Sequence, residues 1–148
     1  MNRFATLTFA LGLSLSGAVL PVLAQGPAAA GGEPAKVIYH INDSAGQALA
    51  ALRNMRNQLD TDPKTKIVAV AHADGIEFLE TDYQDAATVG PLISGLAARG
   101  VRFEVCQITM KRKNQTNDDF VMEAEFVPSG VVRITELQNK EGYAYIKP

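Results

Sequence analysis

A three-layer α/β/α domain around a five-stranded, mostly parallel sheet is the fold class this sequence predicts, and three observations carry it. Short runs of β-branched and aromatic residues alternate along the chain with amphipathic segments of helical period. The runs at 36–41 and 66–71 are apolar on both faces, as in strands covered by helices on two sides. Gly, Pro, Asn and Asp gather where one type of segment gives way to the other.

The first strand is Lys36-Val37-Ile38-Tyr39-His40-Ile41. Asn42-Asp43-Ser44 stops it and offers side-chain oxygens for a helix cap. Ala45, Ala48, Leu49, Leu52, Met55 and Leu59 then recur three and four apart, which predicts a helix ending at Asp60-Thr61-Asp62-Pro63. Lys66 to Ala71 is the second strand, finishing at His72-Ala73-Asp74-Gly75. The pattern leaves the state of Ile76–Leu79 open. Asp85 to Arg99 reads as a helix that either starts at Gly90-Pro91 or is kinked there, and Gly100 closes it. Val101 to Val105 is the third strand and leads into Cys106. A short basic helix, Gln107 to Lys113, follows. Thr116 to Asp119 caps another turn or lines a loop. Glu123 to Val127 is a weaker fourth strand. Pro128-Ser129-Gly130 starts a helix that Gly142 ends, and Tyr143 to Lys147 is the fifth strand.

The N-terminus is set apart. Met1-Asn2-Arg3 carries one positive charge, Phe4 to Leu23 is almost wholly apolar or small, and Val22-Leu23-Ala24 fits a signal-peptidase site. The expectation is a signal peptide over residues 1–24, with an uncleaved anchor as the alternative. Residues 25–35 form a flexible leader of Gly, Pro and Ala. Residues 36–148 are then one domain, in a periplasmic or secreted protein with no membrane contact after cleavage. A formal net charge of −2 gives no basic field for nucleic acid.

In a parallel sheet the C-terminal strand ends share one edge, and ligands bind there. His40, His72 and Cys106 all fall at such ends, with Asn42, Asp43 and Asp74 in the same loops. Cys106 is the single cysteine, so no disulfide can form within the chain. A thiol at a helix N-terminus, with Lys111, Arg112 and Lys113 close behind, is placed to ionise. The alternative is a packed cysteine acting as a small hydrophobe. His72 is a candidate base or hydrogen-bond partner, or a loop histidine; His40 also reads as a satisfied core histidine. These N and S donors suit zinc or copper, but the spacing is no zinc-finger pattern, and neither a metal nor another cofactor is expected. Phosphate loops, dinucleotide fingerprints and the Gly-x-Ser-x-Gly elbow are missing from the sequence.

Arg99-Gly100-Val101-Arg102-Phe103-Glu104-Val105-Cys106, followed by a basic helix, resembles the DsrE/DsrF-like family. The opening Lys36 to Ile41, the Ala71-His72 turn and the stretch from Val127 to Pro148 do so too, in matching order, as in an exported subgroup of small members. The resemblance implies a five-stranded α/β/α fold and a homo-oligomer, a trimer or hexamer. For sulfur-relay members it also implies a cysteine that accepts sulfane sulfur as a persulfide and passes it between donor and acceptor proteins; that role maps onto Cys106. Two features depart from those members: the export-type N-terminus, and the bulky Gln107-Ile108-Thr109-Met110 after the cysteine. A non-catalytic oligomeric binding protein, with a small-ligand or metal pocket at the sheet edge, is the competing reading.

Overall fold

A computed structural model describes residues 32–148; the expected signal peptide and most of the expected leader lie outside them. The strands are β1 (Lys36–Asp43), β2 (Lys66–Asp74), β3 (Arg102–Cys106), β4 (Ala124–Val127) and β5 (Ala144–Ile146). The helices are α1 (Ser44–Thr61), α2 (Ala86–Ala97), α3 (Gln107–Arg112) and α4 (Gly130–Glu141), with 3-10 turns at Glu77–Leu79 and Asn117–Asp119. The strand order is β4-β3-β2-β1-β5. Every pairing in the sheet is parallel, so the expected mostly parallel sheet is wholly so.

Side chains alternate between faces along each strand. Val37, Tyr39 and Ile41 of β1, Ile67, Ala69 and Ala71 of β2, and Phe103 and Val105 of β3 meet α1 and α2 in the larger core. Ala48, Leu52, Met55 and Leu59 are the buried stripe of α1. The opposite face is smaller. Ile38, Val68 and Val70 pack there against Ile134 and Leu137 of α4. Val131 and Val132, expected in the turns of this helix, stay exposed on its outer side.

Several boundaries differ from those expected. Both β1 and β2 run past the apolar stretch, to Asp43 and Asp74, because their edge-to-edge pairing continues beyond the core. His72 is therefore inside β2 rather than after it. Ile76–Leu79 is a turn and a 3-10 turn with Ile76, Phe78 and Leu79 buried, which joins it to the larger core. The helix α2 starts at Ala86 and passes through Pro91. Proline disfavours helical geometry in the residue before it by crowding that residue's Cβ, and Gly90 has none.

Candidate functional site

The smaller face carries the chemistry. By parity with Ile38, Val68 and Val70, the side chains of His40, His72, Glu104 and Cys106 project onto it. The N-terminus of α4 closes over this row. A Cβ on Gly130 would lie 3.2 Å from the Cβ of His72 and 3.3 Å from that of Cys106. The bare glycine is what lets α4 approach the strands so closely.

Cys106 ends β3 and is the N-cap residue of α3, only 5% exposed. Burial pushes its thiol pKa up. The amides of Gly130, Thr109 and Ile108 and the Thr109 hydroxyl more than offset this, and the thiol is held below its ordinary value. Sγ accepts no capping bond of full geometry, so these groups act as oriented donors around it. Thr109 is itself fixed: its Oγ1 accepts from the Ala73 N–H at 3.1 Å, leaving its proton free for the sulfur. The thiol thus lies between the first turns of two helices, α3 and α4.

A pocket of about 250 Å³ opens at this point, lined by His72, Cys106, Ile108, Thr109, Arg112, Ser129 and Val131. Ile108 and Val131 give it apolar walls, and Arg112 puts a guanidinium on its rim. Of the three consecutive basic residues, Lys113 is taken up by Glu77 at 2.5 Å and Asp74 at 3.4 Å.

His72 does not stand alone. Its Nε2 is 2.6 Å from Nε2 of His40, and Nδ1 of His40 is 2.6 Å from the Tyr145 hydroxyl. Burial pushes the pKa of His40 down to about 4, helped by Lys147 and by His72. Burial and then Lys147 lower His72 as well. Both imidazoles are neutral at pH 7.

The other expected site residues lie outside this pocket. Asp43 caps α1, its Oδ1 accepting from the Gly46 N–H at 3.2 Å. Asn42 accepts from Lys147 Nζ, and Asp74 is an exposed partner of Lys113. Tyr145, Lys147, Thr109 and Gly130 belong to the site but were not picked out from the sequence. Tyr145 and Lys147 sit in the last strand and just beyond it, and only the β1–β5 pairing, with Tyr145 opposite Ile38, brings them to His40. Among the described residues no group of three or more His, Cys, Asp or Glu is placed to hold a metal ion.

Fold and site together define a small α/β protein whose single cysteine sits at the C-terminal edge of a parallel sheet. The chain belongs to the DsrE/DsrF-like family, whose model matches residues 30–148. Among solved structures it is similar to a protein of unknown function from Methanobacterium thermoautotrophicum, with 30% identity and a TM-score of 0.70 over 77% of this chain and 99% of that one. No curated protein matches it.

Proposed function

We propose that this protein carries sulfane sulfur as a persulfide on Cys106, in sulfur oxidation or sulfur trafficking. The observation that supports it most is a thiol whose pKa is lowered by the amides of two helices, at the floor of a small pocket rimmed by Arg112. The thiolate is the nucleophile. It attacks the outer sulfur of thiosulfate or a polysulfide, a new S–S bond forms, and the old one breaks. Sulfite, or the shortened polysulfide, leaves with the bonding pair. An acceptor thiolate then takes the outer sulfur and releases Cys106. Arg112 suits the negative charge of such donors. Family membership supports the same reading, since sulfur relay is associated with this family.

The reading includes export to the periplasm or beyond, on the N-terminal pattern, and self-association. The exposed Val131, Val132 and Ile108 on the α4 side are consistent with a covered surface. Sulfur uptake is tested directly by incubating the protein with thiosulfate or polysulfide and weighing it intact. Wild type should gain one sulfur, removable by a dithiol reductant. Equal uptake by Cys106→Ser refutes the proposal. N-terminal sequencing of exported protein should begin at Gln25, and light scattering should give a mass above that of one chain.

A further inference from the structure

Sulfur transfer in itself makes no use of the bulky run Gln107-Ile108-Thr109-Met110 behind the thiol. Thr109 and Met110 are buried, Met110 in the larger core. Ile108 is spent differently. It is 47% exposed and lines the pocket that holds Cys106, as does Val131 of α4, which is 57% exposed. Two branched aliphatic side chains from different helices thus wall one small cavity.

The polar groups of the pocket are equally selective. Its lining holds no carboxylate. Arg112, on the rim, makes no ion pair among the described residues, whereas its neighbour Lys113 is bound to Glu77 and Asp74. Ser129 is the N-cap residue of α4, yet its side chain makes no capping bond. A cation and a hydroxyl are thus unspent beside apolar walls. The volume, about 250 Å³, falls below the roughly 300–1,000 Å³ of sites for drug-sized ligands, so the ligand is small.

We propose that this pocket is a slot for an inorganic polysulfide, with the sulfur chain between Ile108 and Val131 and its trailing charge at Arg112. This assignment rests on Cys106 being the sulfur carrier, and it selects among the anionic sulfanes that could load it. Thiosulfate ends in a sulfonate whose three oxygens share the charge and hold water. Burying it between two aliphatic side chains leaves most of those oxygens without donors. A polysulfide carries its charge at the two ends, and the sulfurs between are soft and polarizable, suited to aliphatic contact. With tetrasulfide, the Cys106 thiolate attacks the terminal sulfur next to it. The Sγ–S bond forms, the next S–S bond breaks, and trisulfide leaves with the bonding pair. Thiolate and tetrasulfide dianion become persulfide anion and trisulfide dianion, with three negative charges on each side and no oxidant or reductant consumed. The departing trisulfide keeps its far end at Arg112, so the guanidinium offsets charge that builds on the leaving chain.

The test measures loading of the full chain by tetrasulfide and by thiosulfate, as rates of mass gain, in wild type, Ile108→Ser and Arg112→Gln. Both side chains are exposed, so neither change disturbs the core. Each rate is divided by that protein's rate with iodoacetamide, a neutral reagent, so that changes in the thiol itself cancel. In Ile108→Ser the ratio of tetrasulfide to thiosulfate loading should fall about tenfold, the scale of discrimination that one hydrophobic contact supplies. In Arg112→Gln tetrasulfide loading should fall about fivefold. The ratio of iodoacetate to iodoacetamide alkylation should fall with it, since iodoacetate brings an anion to the same thiol. An unchanged tetrasulfide-to-thiosulfate ratio in Ile108→Ser overturns the slot, and so does an unchanged iodoacetate-to-iodoacetamide ratio in Arg112→Gln. Either result leaves sulfur carriage by Cys106 standing where wild type gains sulfur. Wild type that loads from neither donor overturns the carrier reading, and the slot with it.

Discussion

Replacing Gly130 by alanine probes how the thiol is activated. The new Cβ would meet the Cβ atoms of His72 and Cys106 at 3.2 and 3.3 Å and Cγ1 of Val70 at 3.5 Å. Those atoms belong to the central strands β2 and β3, which are paired on both sides and cannot yield as a flexible side chain would. The first turn of α4 must therefore lift by a few tenths of an ångström. Overpacking of this kind costs about 1–3 kcal/mol. The same displacement draws the Gly130 N–H away from Sγ. A hydrogen bond to a charged group is worth about 1.5–3 kcal/mol, so losing roughly half of it slows alkylation at a fixed acidic pH by about three- to tenfold. The assay is the pH profile of iodoacetamide alkylation, with urea unfolding in parallel. The thiol should ionise at higher pH in Gly130→Ala than in wild type. An unchanged profile in a destabilised variant would refute the argument, because it would mean that the α4 amide does not support the thiolate.

Other expectations follow from the same geometry. Glu104 is 2% exposed and is held by Arg133 Nε at 2.9 Å, with Arg102 at 3.3 Å on its other side. Arg133→Met should cost about 3 kcal/mol in urea unfolding, and Glu104→Leu with Arg133→Met much less, since only the single change leaves a buried charge poorly compensated. The pKa of His40 is lowered from 6.5 to about 4, so the unfolded chain binds the extra proton first. Its contribution to stability is complete above pH 6.5 and is lost as pH falls towards 4. Urea midpoints followed across that window should drop less steeply in His40→Gln than in wild type. Gly95 in α2 is exposed with open space around it, so Gly95→Ala should add about 0.5–1 kcal/mol. Gly75→Ala, whose Cβ would lie 2.3 Å from the Ile41 carbonyl oxygen, should instead lose about 3 kcal/mol. Thermal melts of the two variants should move in opposite directions.

The sheet was readable from the sequence because β1 and β2 are apolar on both faces over most of their length, the pattern of strands covered on two sides. The boundaries were less readable. Apolar runs stop where the core stops, whereas backbone pairing carries β1 and β2 on to Asp43 and Asp74. Of the two alternatives at Gly90-Pro91, the later start is ruled out: the helix begins at Ala86 and runs through Pro91. At the site, the strand-end rule brought out His40, His72 and Cys106, and all three project from one face of the sheet. It also brought in Asn42, Asp43 and Asp74, whose side chains are engaged in a lysine contact, a helix cap and a surface ion pair. Strand-end position says where a residue sits, and parity says which way it points.

Apart from Thr109, three residues after the thiol, the residues missed reach the thiol or the histidines through contacts distant in sequence. Gly130 arrives from α4 and Tyr145 from the edge strand β5, and neither belongs to a motif around Cys106. This bears on how the thiol is activated. A cysteine paired with an imidazolium draws on one charged neighbour, and its reactivity would follow the titration of that ring. Here both rings are neutral at pH 7, and the offset to burial comes from amides and one hydroxyl. Backbone dipoles do not titrate, so Cys106 should show one ionisation, its own, with no inflection near pH 6.5. Lys147→Met removes a cation that opposes protonation of both rings, but burial, the larger cause, remains, so the variant too should show no inflection near pH 6.5. A histidine inflection in either protein would contradict the account.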